Sequence, residues 1–154
     1  MPSKNPRDLQ RALVSPRFSA PVHRQILSLG QYTANTTVVT APRFIADRRL
    51  VVRELWVAFS AIPADADGVM TLTVKAFDVT EAADDVLVSA QDMETLILVA
   101  NKAYKLTLAA ETTENERTLE VGDTIRVELI SNSAVIDTNA NVSIEVVYQP
   151  LQTL

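Results

Sequence analysis

Residues 69–77, VMTLTVKAF, alternate apolar and polar side chains with a period of two. Met70, Leu72 and Val74 fall on one side of this segment, and Thr71 and Thr73 fall on the other. Because successive side chains of a strand point to opposite sides, the pattern predicts a β-strand with one buried face and one face that meets water or another sheet.

Similar segments recur along the chain after residue 31. They are TTVVTA (36–41), LVVRELWVAFSA (50–61), DVLVSA (85–90), ETLILVA (94–100), YKLTLAA (104–110), TIRVELIS (124–131) and NVSIEVVYQ (141–149). About eight short strands without intervening amphipathic helices predict an all-β protein, an antiparallel β-sandwich or jelly roll over residues 31–154. One short helix is expected within residues 80–103, where Ala, Glu, Met and Leu also suit a helix.

The N-terminal part of the chain has a different composition. Five of the seven prolines lie in the first 42 residues, and residues 1–53 carry nine basic and two acidic side chains, whereas the remainder carries five and seventeen. Proline lacks a backbone donor and keeps the preceding residue extended. We therefore predict an extended, proline-rich basic arm over residues 1–30.

The arm has too little apolar surface to order itself, so we expect it to order against a partner with an acidic surface. The side chains expected to make these contacts are Arg7, Arg11, Arg17, Phe18 and Arg24. A disordered tail is the plain alternative. Nucleic acid is disfavoured as a partner, because Phe18 is the only aromatic residue of the arm and no Lys/Arg cluster is present.

The sequence contains few of the residues and motifs that catalytic sites use. The chain has no cysteine, and His23 is its only histidine, placed in the basic arm without a GxSxG motif or a Gly-rich phosphate loop elsewhere. Acidic loops at 65–68 and 78–85 could offer oxygen ligands to calcium, but such loops are usually solvated turns. We predict no enzyme activity, no cofactor and no metal. Without an apolar run of about 18 residues or a secretory signal, the sequence also predicts a soluble, unprocessed chain with no membrane partner.

A Gly-Asp pair stands before the strand in TLEVGDTIRVELIS, residues 118–131. Gly122 can adopt a positive φ without steric cost, and the Asp123 side chain can cap the bend. The pair is therefore interpreted as a structural turn and not as the edge of an active site.

Trp56 is the only tryptophan. If Leu55, Val57 and Phe59 face the core, Trp56 lies on the outer face of its sheet. A sugar platform and a protein interface both use exposed tryptophan, but a sugar site normally needs more than one aromatic side chain. We therefore favour a protein interface at Trp56.

The basic proline-rich arm, the Cys-free β-domain and the closing pattern LEVGDTIRVELIS...NVSIEVVYQP resemble the capsid decoration, or cement, proteins of tailed bacteriophages. The resemblance covers residues 31–149 in general style. It implies a β-sandwich or jelly roll on the outer surface of the virion, often a homotrimer, that clamps neighbouring subunits of the major capsid protein. The arm would then lie along adjacent subunits, with Arg43 as a further contact.

Two other classes stay open. A carbohydrate-binding module has the same sandwich architecture, with Trp56, Tyr32, Tyr104 and Tyr148 as the aromatic candidates. Another phage structural part, such as a head fibre base, a neck protein or a tail component, would have a similar sequence.

Overall fold

The computed structural model of the chain describes residues 21–32, 38–39, 44–62, 70–109, 117–131 and 140–151. These residues form ten β-strands and one short helix. They are β1 (His23–Tyr32), β2 (Val38–Val39), β3 (Phe44–Ile45), β4 (Leu50–Phe59), β5 (Met70–Asp78), β6 (Ala83–Asp92), α1 (Met93–Leu96), β7 (Ala103–Lys105), β8 (Thr118–Leu119), β9 (Thr124–Ser131) and β10 (Ala140–Pro150). No described helix is long and apolar enough to cross a membrane.

The strands form two antiparallel sheets. Sheet 1 has the order β1-β10-β4-β7, with β8 also paired to β4, and sheet 2 has the order β2-β9-β5-β6, with β3 also paired to β9. The pairing is nested along the chain: β1 pairs with β10, β2 with β9, β4 with β7, and β5 with β6. The expected all-β antiparallel sandwich is confirmed.

The core lies between the inner faces of the two sheets, where the period of two places the large apolar side chains. On β5, Met70, Leu72 and Val74 are buried, and on β10 Ile144 and Val146 are buried as well. Two packed sheets of this kind stand about 10 Å apart, so a single layer of interdigitated aliphatic side chains fills the space between them.

Register shifts interrupt the alternation at two places in sheet 1. Between β4 and β10, Glu54 pairs with Val147 and Val52 pairs with Tyr148, so Arg53 is an extra residue on β4. Its guanidinium donates to the Gln149 side chain from Nε at 3.1 Å and from Nη2 at 2.9 Å. Such a bulge bends the strand that contains it and increases the local right-handed twist.

Strand β1 takes in residues that we expected in the arm. Residues 23–30 lie on β1, which pairs with β10. Leu29 has no partner in the register and forms a bulge with Gly30, which has a φ of 85°, so Gly30 lies within the strand and does not end the arm. The reason is that the last proline of this region is Pro21, so the donors that β10 requires are all present from His23 onward. The arm expected over residues 1–30 can therefore extend no further than residue 22.

The strand expected at 94–100 is wrong. Asp92 accepts hydrogen bonds from the backbone N–H groups of Glu94 at 2.9 Å and Thr95 at 3.3 Å, which caps α1. This N-cap explains the short helix that we expected in this region. The strand expected at 104–110 is also shorter than predicted, because β7 ends at Lys105.

The Gly-Asp pair joins three turns at one end of the sandwich. The Asp123 carboxylate accepts from the N–H of Val79 at 3.1 Å and from the N–H of Glu120 at 2.7 Å, and its carbonyl accepts from the N–H of Ala46 at 2.8 Å. Gly122, with φ of 97°, donates to the Ala46 carbonyl at 2.8 Å. We call this end of the sandwich, with the turns at 46–49, 79–82 and 120–123, the turn end.

Candidate functional surface

The alternation of β4 places Trp56 on the outer face of sheet 1. Leu55 and Val57 are fully buried and Phe59 is almost so, and all three belong to the core between the sheets. The intervening side chain of Trp56 points away from that core and is half-buried on the opposite face.

Two polar contacts hold the indole ring in place. The Trp56 N–H donates to Glu54 Oε2 at 2.9 Å, and Lys105 Nζ lies 2.6 Å from Glu54 Oε1 and 5.9 Å from the centre of the indole ring. The Lys105 ammonium first, and the Trp56 N–H second, hold the pKa of the Glu54 carboxyl below its ordinary value. The ring is thus fixed by neighbours on two strands.

Trp56 belongs to a row of large side chains across the four main strands of sheet 1. The register pairs Ile26 with Glu145, Glu145 with Trp56, and Trp56 with Lys105. Ile26 is 71% exposed, an unusual position for an isoleucine in the middle of a strand. Arg24 forms an ion pair with Glu145 at 3.3 Å beside this row.

A parallel row of small side chains forms the floor of a trough next to the large row. The register pairs Ser28 with Ser143, Ser143 with Ala58, and Ala58 with Ala103. Two adjoining cavities, of about 280 and about 100 Å³, share Ala58 and Ser143. The larger cavity reaches the end of the sheet, where its lining is polar and includes Ser60, Asn101 and Asn141. The trough offers shape and hydrogen-bonding groups but little charge.

The described residues show no catalytic arrangement around the single imidazole. His23 is the first residue of β1, and its ring stacks on Tyr148 with centroids 5.5 Å apart. The Tyr148 ring also meets Phe44 edge-on at 5.4 Å. An imidazole held in such an aromatic stack packs the end of the sandwich.

Carboxylates of the described residues do not form a metal centre either, since no three potential ligands come together there. In the acidic loop at 78–85, Asp78 Oδ1 accepts from the N–H groups of Thr80 at 2.6 Å and Glu81 at 3.0 Å, which is the geometry of a turn. The loop at 65–68, including Gly68, lies outside the described residues.

Most of the arm residues also lie outside the described part of the chain. These are Arg7, Arg11, Arg17, Phe18 and Arg43. Arg24 is on β1 and is engaged with Glu145, so it belongs to the outer face of sheet 1 and not to an arm. The main chain of Tyr32 ends β1, whereas Tyr104 and Tyr148 pack partly against the core.

Glu54, Lys105 and Glu145 were not singled out from the sequence. The contact between Glu54 and Trp56 could have been predicted, because residues two positions apart on one strand lie on the same face. The contributions of Lys105 and Glu145 depend on the pairing of distant strands, which the local pattern does not contain.

Fold and surface together define an antiparallel β-sandwich with a structured outer face and no catalytic constellation among its described residues. No protein-family model and no curated protein matches the sequence. Among solved structures, a chain of the cyanophage Pam1 capsid asymmetric unit is similar over 98% of this chain and 100% of that chain, with 18% identity and a TM-score of 0.55. A likeness at this identity shows the shared fold.

Two chains of infectious bursal disease virus are more distantly similar. One is from the VP2 subviral particle (10% identity, TM-score 0.47) and the other from the Gx strain (11% identity, TM-score 0.44). Each match covers 86% of this chain but only 33% and 34% of the viral chains, so this chain spans about a third of their length.

Proposed function

We propose that this chain is a structural protein of a tailed-phage virion that binds the outside of the capsid and cements neighbouring subunits of the major capsid protein. The observation that carries the proposal is the end-to-end match with a chain of the cyanophage Pam1 capsid asymmetric unit, in which neither chain has an unmatched domain. The basic proline-rich arm and the absence of catalytic groups from the described residues fit the same role.

The nested pairing of the strands supports a jelly roll as the particular form of the sandwich. In a jelly roll, a long antiparallel hairpin winds into two sheets, so early strands pair with late ones. The pairs β1 with β10, β2 with β9, β4 with β7 and β5 with β6 follow that arrangement.

We assign two contact surfaces to the cementing role. The arm contributes basic side chains at Arg7, Arg11 and Arg17. The outer face of sheet 1 contributes Trp56 and the exposed Ile26, and interfaces commonly concentrate their binding energy in such anchors. A weak arm contact becomes effective when several copies bind a shell at once, which favours a homotrimer on a three-fold axis.

Light scattering on the purified full-length chain tests the homotrimer. Three copies of a 16.9 kDa chain have a mass of about 51 kDa. A stable mass near that value supports the symmetric assembly. A monomeric mass would contradict a trimer in solution. A cementing protein would then have to assemble into its trimer on the shell.

Binding to heads of the phage that encodes the chain, prepared without it, tests the cementing role. The purified chain should co-sediment with these heads and raise the temperature at which they release DNA. Trp56→Ala should weaken binding by about 2 kcal/mol, roughly thirtyfold, if Trp56 is an interface anchor. Ile130→Ala is the matched control, because Ile130 is 36% exposed and lies on β9 of sheet 2. Full-length chain that stays in the supernatant would refute the proposal.

The trough beside Trp56 makes a glycan-binding module the second candidate, because its polar end offers Asn101, Asn141 and Ser60 to hydroxyl groups. The arrangement of aromatic side chains disfavours it. Of the aromatic side chains named as candidates, Tyr104 and Tyr148 pack partly against the core, and the described side chain on the outer face of sheet 1 is that of Trp56. A glycan array with no ligand retained by the wild-type chain would end this alternative.

A head fibre base, a neck protein and a tail component remain structural alternatives with the same fold. Electron microscopy of virions labelled with an antibody to the chain separates them. Label spread over the head supports the cementing role, and label confined to the neck, the tail or the base of a fibre contradicts it.

A further inference from the structure

Exposed apolar side chains gather at the turn end of the sandwich. Ile45, Val79 and Val121 are 64%, 47% and 66% exposed, and they lie on three segments that the hydrogen bonds of Gly122 and Asp123 join together. Valine and isoleucine in adjacent surface turns form a patch that a partner can cover.

The same end of the molecule is acidic. The turn between β5 and β6 carries Asp78, Glu81, Asp84 and Asp85, and residues 78–85 include no basic residue. Arg126 is 3.7 Å from Asp84, and on the turn at 46–49 Arg48 and Arg49 pair with Asp47 at 2.9 Å and with Glu120 at 2.7 Å. These three cations are outnumbered by the carboxylates of this end, which include Asp47, Asp78, Glu81, Asp84, Asp85 and Glu120. Residues 81–86 are all exposed, so the carboxylates are accessible to a basic partner.

The first 20 residues have the complementary chemistry. They carry four basic side chains and one acidic side chain. In residues 11–18, RALVSPRF, Leu13 and Val14 lie between Arg11 and Arg17, and Phe18 follows Arg17. This segment therefore offers apolar and cationic groups to a surface that is apolar and anionic.

The chain also joins the sandwich at the turn end. Pro21 precedes His23, which starts β1 and pairs with Tyr148 near the end of β10. Leu13 is eight residues from Pro21 and can lie up to about 27 Å from it when extended. Four strands side by side span about 14 Å, and the two sheets stand about 10 Å apart. Residues 11–18 are therefore long enough to cross this end of the sandwich.

We propose that residues 11–18 dock on the turn end of their own chain. The apolar side chains cover Ile45, Val79 and Val121, and Arg11 and Arg17 face the carboxylates of the turn at 78–85. A partner that takes up the arm, including a capsid, then competes with this internal site. The proposal does not depend on the virion role, because it concerns the isolated chain.

Disulfide trapping in the full-length protein tests the docking. The natural chain has no cysteine, so the double variant Leu13→Cys with Val121→Cys contains one pair of thiols. The matched control is Leu13→Cys with Ile26→Cys, because Ile26 is 71% exposed and close to Pro21 in the chain but lies on the outer face of sheet 1. Docking should make the first pair oxidise at least about tenfold faster than the second, through a higher effective concentration.

Charge changes identify the forces involved. Arg11→Glu with Arg17→Glu should slow disulfide formation between the cysteines at positions 13 and 121 to the rate of the control pair. Arg11→Lys with Arg17→Lys keeps the charge and should retain most of the difference in rate. About 1 M salt, where screening acts within about 3 Å, should also reduce the difference.

Equal rates for the two cysteine pairs would overturn the proposal, since an undocked arm reaches both positions. Disulfide-linked dimers whose yield rises with protein concentration would overturn it as well, because the arm would then dock on a second copy. Monomeric disulfides with the expected difference in rate support it. Capsid binding is measured separately, so either result leaves the test of the virion role intact.

Discussion

The indole N–H of Trp56 donates a 2.9 Å hydrogen bond to the carboxylate of Glu54, two positions earlier on the same strand. The same carboxylate is 2.6 Å from Lys105 Nζ on the neighbouring strand β7. The two contacts fix the side chain that we propose as the interface anchor, and they depend on one charged group.

This arrangement predicts a pH-dependent signal from the single tryptophan. Lys105 and Trp56 lower the pKa of Glu54 from its ordinary value of 4.5, so the charged contacts are complete above that pH and are lost as the pH falls through the lower folded value. Trp56 fluorescence should therefore change with a midpoint below pH 4.5. Glu54→Gln should remove the transition, and a transition that persists in this variant would show that another group causes it.

A second prediction concerns Asp123, whose carboxylate is almost fully buried and accepts from two backbone N–H groups. Asp123→Ala leaves the N–H groups of Val79 and Glu120 without these acceptors and should cost about 2 kcal/mol of unfolding free energy. Urea unfolding should show a lower midpoint with an unchanged slope. Asp123→Asn keeps one oxygen acceptor and should fall between wild type and Asp123→Ala. An unchanged unfolding free energy in Asp123→Ala would show that the turns are stable without this carboxylate.

The adjacent residue should behave in the opposite way. Thr124 is 8% exposed, and its hydroxyl has no hydrogen-bond partner among the residues that the structure describes. Thr124→Val removes this buried polar group and should stabilise the fold by about 1 kcal/mol, which raises Tm by about 3 °C. Thr73→Val, on the half-buried outer face of the same sheet, is the control for β-propensity and should have a smaller effect. Equal gains from both variants would contradict this account.

The faces of the long strands could be predicted from the sequence because they depend on local alternation. Met70, Leu72 and Val74 face the core as the pattern of β5 indicates, and Leu55 and Val57 do so on β4. The period of two fixes which side chains share a face, and the burial of one set then fixes the direction of the other.

The rest of the fold depends on contacts between distant residues. β3 and β8 have only two residues each, too few to show a period, and exist because Phe44 pairs with Ile125 and Leu119 pairs with Leu50. The large row on the outer face has the same origin, since nothing near Ile26 in sequence indicates that Glu145 and Trp56 follow it across the sheet. The short helix expected within residues 80–103 is α1, and its start is a local feature, because Asp92 is a good N-cap residue.

The boundary of the arm leads to the last prediction, which compares two N-terminal deletions. Removing residues 1–20 leaves β1 intact and removes only the docking that we propose for residues 11–18, so it should cost about 1.4 kcal/mol of unfolding free energy, the equivalent of a tenfold preference. Removing residues 1–25 also deletes three residues of β1 and with them the stacking of His23 on Tyr148 and the ion pair of Arg24 with Glu145. It should cost about 2 kcal/mol or more beyond the shorter deletion, since an aromatic pair contributes about 1 kcal/mol in addition to the lost strand pairing.

Urea unfolding of the two deletion variants, beside the full-length chain with His23→Ala, measures this difference. His23→Ala should account for part of the loss in the longer deletion. Two deletions of equal stability would mean that residues 23–25 contribute nothing to the sheet and that the arm extends past Pro21. With the expected result, only the deletion of residues 1–20 separates the arm from the sandwich, so that variant is the one to compare with the full-length chain in capsid binding. A loss of capsid binding in the 1–25 deletion alone would then report damage to β1 and not a role of the arm.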